Sequence, residues 1–274
     1  MPRGLRQLPG HVVLWLVTLI ALVPIYVMIT ASFKTQQSFS LHPFGIPGSP
    51  TLNAFKSALS AQFPRWLLNS LILTIGSVVV TLALAACAAW GFAQRAFRGR
   101  DTILAAIVSL MVVPPVVLIV PLFSMGTRLG LVGTYEYVIV IYAAFMLPFS
   151  TYMLTNFFRT IPNALIEAAV MDGAGSFKVF WRIVIPLSAA PLVTLCVVNV
   201  LWVWNELLIA LVFLNDDTHR TLMIGITDFQ SKNSLNVPTI MAGLSLASLP
   251  IVALYIFGQR FFVRGLVAGA IKGE

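Results

Sequence analysis

The chain has 274 residues, of which 59% are hydrophobic and 9% charged, and its mean hydropathy is +0.94. Soluble domains carry about a quarter charged residues, so this composition excludes an ordinary soluble protein and indicates a membrane protein. The net charge of +8 would suggest nucleic-acid binding in a soluble chain, but its distribution along this chain favours another explanation.

Six apolar runs are long enough to cross a bilayer, because a helix needs about 20 apolar residues for that purpose. They predict an all-α, polytopic membrane protein with six transmembrane helices in a single domain over residues 1–274. The first run follows Arg3 and Arg6, exceeds the usual length of a signal-peptide core and lacks a clear cleavage site, so it predicts a retained span. The approximate spans are 12–33, 67–93, 103–123, 137–158, 183–214 and 240–262.

The basic residues indicate the orientation of these spans. Six spans place both termini on one side, and assigning that side to the cytoplasm puts eleven Lys and Arg residues inside and six outside. Cytoplasmic loops carry such an excess, so topology explains the basic charge and nucleic-acid binding is disfavoured. The inside residues are Arg3, Arg6, Arg95, Arg98, Arg100, Arg159, Lys178, Arg182, Arg260, Arg264 and Lys272, and the outside residues are Lys34, Lys56, Arg65, Arg128, Arg220 and Lys232.

Two segments predicted to lie outside are long. Residues 34–66 are rich in Ser, Pro, Phe and Gly, and residues 215–238 are the most polar stretch of the chain. Such loops offer a docking surface or serve as solvated linkers, and composition leaves both interpretations open.

Prolines recur inside the predicted spans. They predict kinked helices, because proline breaks the helical hydrogen-bond ladder. These prolines are Pro24, Pro114, Pro115, Pro121, Pro148, Pro186, Pro191 and Pro250.

Residue types that bind metals or nucleotides are scarce. Cys87 and Cys196 each lie within an apolar run, which indicates small buried hydrophobes rather than a disulfide. His11, His42 and His219 are far apart, and the sequence contains no CxxC, HExxH or GxxxxGK[ST] pattern. We therefore expect no metal, no cofactor and no catalytic residue on this chain.

A short polar segment separates the fourth and fifth spans. Pro162 fits the first turn of a helix, and residues 163–171 are rich in helix formers. Gly173 and Gly175 supply the conformational freedom that ends a helix, and Ser176 can cap the next one. The pattern predicts a short, stiff helix on the cytoplasmic face, which is either a docking element for another protein or a plain interfacial helix.

This segment resembles the cytoplasmic signature of ABC-importer permeases, which reads EAA, three residues, G, nine residues and I-x-L-P. Here the EAA occupies 167–169, the glycine is Gly173, and "IVIP" occupies 183–186. The one departure is Ile185 in place of the usual Leu.

Three further stretches, 128–162, 204–214 and 257–273, resemble the carbohydrate-type branch of that family and, within it, the maltose-permease (MalG-like) subunits. The resemblance covers nearly the whole chain and is weakest over 34–65. It implies a type I ABC importer permease fold in a bacterial or archaeal cell membrane.

The resemblance also implies partners. These are a second homologous permease subunit, an ATPase dimer that binds ATP and Mg and carries out the hydrolysis, and an extracellular substrate-binding protein, periplasmic or lipid-anchored. Residues 163–175 would be the coupling helix that docks on one ATPase subunit, residues 267–274 would reach between the ATPase subunits, and 215–238 would meet the binding protein. The residues implied in ATPase coupling are Glu167, Ala168, Ala169, Asp172 and Gly173.

Polar groups within the spans are candidates for the substrate pathway, because polar residues at membrane depth usually face a cavity or a partner. Trp204, Asn205 and Glu206 fall in the fifth span, and Ser245 and Ser248 fall in the sixth. An aromatic ring beside hydrogen-bonding groups suits stacking on a sugar. The "WNE" pattern recurs in the family regardless of substrate, however, which favours a structural or gating role.

The alternative function is a secondary transporter driven by an ion gradient. It requires ionisable residues along the pathway and often an inverted repeat. Glu206 is the only clear acid deep within a span, and the two halves of the sequence show no convincing repeat. The cargo implied by the resemblance is a disaccharide, oligosaccharide, amino sugar or glycerol phosphate, and the sequence does not choose among them.

Overall fold

The computed structural model describes residues 3–59, 62–214, 216–227, 229–231 and 234–270. Within those ranges the chain is almost entirely helical, with one short antiparallel hairpin. The helices are α1 (Arg3–Ser32), α2 (Gln36–Leu41), α3 (Asn53–Ala58), α4 (Phe63–Gln94), α5 (Arg100–Ser109), α6 (Pro115–Leu129), α7 (Tyr135–Phe158), α8 (Asn163–Met171), α9 (Ser176–Val179), α10 (Ile185–Leu187), α11 (Ala189–Asn205), α12 (Leu208–Phe213), α13 (Leu222–Thr227) and α14 (Val237–Ala270), and the strands are β1 (Gln230–Ser231) and β2 (Ser234–Leu235).

Four of the described helices are long and apolar enough to cross a membrane as single segments. They are His11–Ser32 of α1, all of α4, all of α7, and Val237–Gln259 of α14. Two bent helix pairs pass the same test, which gives six spans if each pair is one span. The predicted all-α, polytopic fold is confirmed.

The predicted third span, 103–123, is broken in the structure. Helix α5 passes through a 3₁₀ turn, Leu110–Val112, and α6 starts at Pro115 with its axis bent by 96°. Val113 and Pro114 both have extended backbone, with ψ of 115° and 134°. The break follows from the Pro114–Pro115 pair, because a residue before proline avoids helical geometry and proline has no N–H to donate.

The predicted fifth span, 183–214, is interrupted twice. The Ser176–Leu187 part and α11 meet at 74°, and the chain leaves helical geometry again at Glu206, whose ψ is 126°. Pro191, in the first turn of α11, has no N–H to donate to the carbonyl four residues earlier. The helical hydrogen bonds across the first break are therefore incomplete. The buried Ser188 lies at this break and donates its hydroxyl to Val184 O at 2.6 Å.

Packing divides the chain into two compact units, Met1–Arg65 with Gly225–Leu249 and Trp66–Ile224 with Pro250–Glu274. In the second unit, α7 is the central element and has an apolar cluster at each end. The Tyr135 end carries Val138 and Ile141 packed with Val203, Ile209 and Phe213, among others.

At the Phe158 end of α7, Leu154 and Phe158 pack with Val179, Phe180 and small residues of α4, among others. Alanines of α4 at this position, Ala85 and Ala89, are fully buried, which permits close approach of helices. A 24-residue helix is about 36 Å long, so the two ends lie at opposite limits of a membrane-spanning segment.

The first unit is held by close contacts between α3 and α14. Ala54 and Ala58 are buried together with Ala242. Ser32, the last residue of α1, lies 3.2 Å from the hydroxyl of Ser245 on α14. Nearby, the buried ammonium of Lys34 donates to two backbone carbonyls.

The expectation that both cysteines are buried is wrong for Cys87, which is exposed on α4, whereas Cys196 is half-buried. An apolar run in a membrane protein buries only the side that faces its neighbours, because the other side is covered by lipid. Position within an apolar run therefore does not decide the burial of a single residue.

Candidate functional site

Helix α8 contains the EAA segment and ends at a well-defined turn. Gly173 has a φ of +79°; its N–H donates to Val170 O, and the N–H of Ala174 donates to Ala169 O, both at 2.9 Å. These two bonds with a left-handed residue between them form a Schellman motif, which satisfies the last carbonyls of the helix. The predicted element 163–175 is therefore a nine-residue helix, Asn163–Met171, followed by a compact turn.

One side of α8 packs against the apolar cluster at the Phe158 end of α7. Ile166 and Ala169 of α8 make these contacts, together with Ala174 of the turn that follows it. The opposite side, including Glu167 and Ala168, is exposed. Of the two alanines expected to face a partner, only Ala168 is exposed.

The exposed side of α8 is continued by large apolar residues. Met171 is 87% exposed, and beyond the turn Phe177 and Trp181 are exposed with their rings 6.2 Å apart. Asp172 and Gly173 are exposed as well. Large apolar side chains are therefore exposed at the end of α8 and directly after it, close to the exposed Glu167 and Ala168.

The residues that follow α8 differ from the predicted capping pattern. Gly175 occupies the N-cap position of α9 without a side-chain bond, so the prediction that Ser176 caps this helix is wrong. Ser176 Oγ instead accepts a hydrogen bond of 3.4 Å from Trp90 Nε1 of α4. After α9, residues Phe180–Val184 form a π-helical turn that ends two positions before Pro186, and such turns are frequent at functional sites.

An ion pair connects α5 to the end of α7 beside α8. Arg159 Nη2 lies 2.7 Å from Asp101 Oδ1, and Arg100 Nε lies 3.4 Å from the same oxygen. The hydrogen bond from Arg159 is the main reason that the pKa of Asp101 lies below its ordinary value. Because the Asp101 side chain is 72% exposed, we expect the pair to contribute little to stability.

Glu206 interrupts the fifth apolar run, and its side chain accepts hydrogen bonds from backbone N–H groups that follow the interruption. Its carboxylate accepts the N–H groups of Ile209 and Ala210 at 2.9 and 3.1 Å, in the first turn of α12. Tyr142 of α7 donates its hydroxyl to the same carboxylate at 2.7 Å. The geometry gives Glu206 a structural position as a helix cap and as a link to α7.

The neighbours of Glu206 have different surroundings. Trp204 is buried. Asn205 is exposed, and its amide donates to Leu201 O at 2.7 Å. Trp202, one turn earlier, meets the ring of Tyr142 edge-on at 5.6 Å. The three predicted pathway residues of this span thus adjoin one helix break, but only Asn205 is exposed.

The two serines of the sixth span bond mainly within α14. Ser245 Oγ donates to Met241 O at 2.8 Å, and Ser248 Oγ donates to Ser245 O at 2.7 Å. Both residues are half-buried. Hydroxyls that bond to the preceding turn have less capacity to bind a ligand.

Two predictions fall partly outside the described residues. The tail 267–274 includes the end of α14 and residues 271–274, and the loop 215–238 includes positions 215, 228, 232 and 233. Within the described ranges, no group of three or more His, Cys, Asp and Glu residues could hold a metal ion.

Sequence reasoning missed Tyr142, Arg159 and Asp101. Tyr142 lies in an uninterrupted apolar run and its partner is 64 positions away, so no local signal marks it. The "RGRD" sequence at the start of α5 and the Arg after α7 are visible as charges, but only the fold brings them together.

A family model described as "Binding-protein-dependent transport system inner membrane component" matches residues 82–268. A putative ABC transporter permease protein of Caldicellulosiruptor sp. is 39% identical over 257 residues, covering 93% of this chain and 94% of that protein. The trehalose/maltose transport system permease protein MalG of Thermococcus litoralis is 33% identical over 264 residues, covering 94% of each. A solved bacterial ABC transporter involved in the import of the acidic polysaccharide alginate has a TM-score of 0.83 at 21% identity, covering 96% of this chain and 99% of that chain.

Proposed function

The chain belongs to the family of binding-protein-dependent transport system inner membrane components, in its carbohydrate-type branch, and we propose that α8 couples it to an ATPase that drives sugar import. The chain is a multi-pass permease of the ABC-importer type. The cargo that we propose is a sugar or sugar derivative delivered by an extracellular binding protein, in keeping with the trehalose/maltose permease among its relatives.

The observation that carries this proposal is the geometry of α8. The helix is anchored on one side by Ile166 and Ala169 and ended by the Schellman motif at Gly173, and its other side is left uncovered. A short helix fixed at its base and exposed at its surface can transmit a push from a docked partner to the segments beneath it. The segments beneath α8 are α7 and the π-helical turn before Pro186.

The proposed orientation places the Phe158 end of α7, with both chain termini, in the cytoplasm. Support comes from charge: Arg159 and Arg100 lie at this end, and the exposed Lys178 and Arg182 follow α8. The positive-inside rule assigns such a group to the cytoplasmic face. The loop that contains Arg220, at the Tyr135 end, would then be outside.

The proposed partners follow from this orientation and from the family. An ATPase dimer, which would bind ATP and Mg, docks on the exposed side of α8 and on the C-terminal tail. A second homologous permease subunit completes the pathway, and the substrate-binding protein docks on the outside loops. ATP-driven closure of the dimer would favour one conformation of the permease, and α8 would carry that preference to the spans.

For the substrate pathway, Asn205 is the strongest candidate among the residues named from the sequence. It is exposed next to the break at Glu206, whereas Trp204 is buried and Glu206 acts as a cap. We retain Trp204, Glu206, Ser245 and Ser248 as residues that shape the pathway. Substituting Asn205→Ala should raise the KM for transport more than Ser248→Ala does.

The test of α8 uses the complete transporter reconstituted into proteoliposomes with its partner subunits. Glu167→Lys reverses a charge on the exposed side, and we expect ATP-driven sugar uptake to fall about tenfold, the equivalent of ~1.4 kcal/mol of docking free energy. Glu136→Lys is the matched control for docking of the ATPase, measured as the amount of ATPase that co-purifies with each variant, because Glu136 is also exposed but lies at the other end of α7, away from α8. Equal uptake by the wild type and Glu167→Lys would contradict the assignment of α8, and uptake by the purified chain alone down an ion gradient would support a secondary transporter instead.

A further inference from the structure

Asn69, in the first turns of α4, is held in a fully bonded and buried position at the Tyr135 end of α7. Its side chain is 3% exposed. The amide nitrogen donates to Thr218 O at 2.9 Å and to Arg220 O at 2.8 Å, and the amide oxygen accepts the hydroxyl proton of Tyr135 at 2.7 Å. One side chain from a span therefore binds the backbone of a loop about 150 residues later at two points.

Two further contacts hold the same loop against the spans. The ring of Tyr135 meets the ring of His219 edge-on, with centroids 4.7 Å apart. The buried Ser70, next to Asn69, accepts the N–H of Leu222 at 2.9 Å. The segment 218–222 is thus attached at each end and in the middle.

The loop also has internal bonds that define its shape independently of Asn69. The carboxylate of Asp216 accepts the N–H groups of Thr218 and His219 at 2.8 and 2.9 Å, and it pairs with Nδ1 of His219 at 2.7 Å. Asp217 pairs with Arg220 at 3.1 Å. Asp216 therefore shapes the turn, whereas Asn69 fixes the position of the turn relative to the spans.

The held loop presents charged groups on its outer side. The Asp217 side chain is 77% exposed and that of Asp216 is 44% exposed. Ordering a loop during association costs conformational entropy, and a loop that is already ordered avoids this cost. Asp216 and Asp217 are already paired with His219 and Arg220 of the same loop, so the loop offers a fixed pattern of paired charges, which favours a folded protein partner with complementary polar groups at the contact.

We propose that Asn69 is a positioning residue that holds loop 216–222 in the conformation in which the substrate-binding protein docks. The inference rests on the proposed function, which identifies this partner and places the loop outside. It adds that the loop is fixed before docking, by a side chain that does not itself touch the partner. Removal of the Asn69 amide should then weaken docking without slowing the steps that follow it.

The experiment measures ATP hydrolysis by the complete reconstituted transporter at increasing concentrations of purified binding protein. For Asn69→Ala we expect the half-saturating concentration of binding protein to rise about tenfold, with the maximal rate within about twofold of the wild type. The control is Asn199→Ala, which removes another buried asparagine of the same unit, bonded to Ser150 Oγ at 3.1 Å. It should leave the half-saturating concentration within about twofold of the wild type, because general loss of stability does not act on docking.

Tyr135→Phe provides a second variant that keeps the aromatic ring against His219 and removes the hydroxyl that donates to Asn69. We expect an increase in half-saturation of about twofold to threefold, smaller than that of Asn69→Ala. Hydrogen exchange should also speed up in the 217–222 peptide of both variants. An unchanged half-saturation in Asn69→Ala, or an equal change in Asn199→Ala, would overturn the role of Asn69. If binding protein failed to stimulate even the wild type, the proposed function itself would be wrong.

Discussion

Tyr142 donates its hydroxyl proton to Glu206 Oε2 over 2.7 Å, which joins the middle of α7 to the interruption between α11 and α12. The same carboxylate accepts the N–H groups of Ile209 and Ala210. One acidic side chain therefore satisfies three donors among largely apolar residues. Because lipid offers no hydrogen bonds to a broken helix, an interruption within a membrane span requires such a replacement partner.

Tyr142→Phe should lower the free energy of unfolding of the detergent-purified protein by about 2 kcal/mol, the usual range for a hydrogen bond to a charged group. In a Glu206→Ala background the same substitution should cost almost nothing, because its partner is already absent. The measurement is a double-mutant cycle of the free energy of unfolding. Tyr152→Phe on the same helix is the control, since Tyr152 is exposed. An equal cost of Tyr142→Phe in both backgrounds would show that the two side chains do not act together.

Gly173→Ala should destabilise the end of α8 by about 1 kcal/mol, because Gly173 has a φ of +79° that alanine adopts poorly. Gly175→Ala should be close to neutral, because Gly175 has a φ of −68° and a ψ of 159° that suit any residue, and the entropic gain of alanine is offset by its poorer fit at the N-cap of α9. A Cβ at either position would meet no atom within 4 Å, so only backbone conformation separates the variants. Hydrogen exchange at residues 166–171 should quicken in the first variant alone, and equal exchange in both would exclude the Schellman motif as the cause.

The sequence predicted the number and approximate positions of the apolar runs because each run carries its own signal, which is hydropathy over about 20 residues. The prolines predicted kinks, but they did not predict bends of 96° and 74°. The size of a bend depends on the packing of both halves against neighbouring helices. The Pro114–Pro115 pair was the strongest available signal for a complete break.

The helix that carries the EAA segment and its end at Gly173 were predictable from the sequence, because the residues that start and end a helix lie next to it in the chain. Which alanine faces outward was not, since that depends on how α8 is rotated against Phe158. The bonding of Glu206 and of Asn69 was also beyond the sequence. Their partners lie 64 and about 150 positions away, and no local pattern reports a contact at that separation.

Asp216→Asn should lower the melting temperature, by an amount that depends on pH. Partial burial raises the pKa of Asp216, but hydrogen bonds from Thr218 and His219 outweigh this effect and hold the pKa at about 2, below its ordinary 3.8. A carboxylate with a lowered pKa in the folded protein stabilises it fully at pH values above 3.8, the ordinary pKa of the group. This stabilisation is lost as the pH falls through about 2, the pKa in the folded protein. The difference in melting temperature between the wild type and the variant should therefore be constant from about pH 7 to pH 5 and narrow as pH falls below about 4.

Asp217→Asn is the control for this titration, because the Asp217 side chain is 77% exposed and its ion pair with Arg220 should contribute little. Its melting temperature should stay near that of the wild type throughout. A difference for Asp216→Asn that stayed constant down to pH 3 would mean that the Asp216 carboxylate does not stabilise the loop.

Lys34→Met should loosen the segment that follows α1. The Lys34 side chain is 1% exposed, and its ammonium donates to His42 O at 2.8 Å and to Pro43 O at 3.1 Å. Methionine fills a similar volume but donates no hydrogen bond, so two carbonyls lose a charged donor at a cost of about 2 kcal/mol for local opening. Hydrogen exchange in residues 36–46 should then quicken by about 30-fold. Lys56→Met is the control, because Lys56 is exposed on α3. If both variants exchanged at the wild-type rate, the carbonyls of His42 and Pro43 would not depend on Lys34, and the order of this segment would have to come from other contacts such as the bond of Tyr26 Oη to Phe44 O at 3.2 Å.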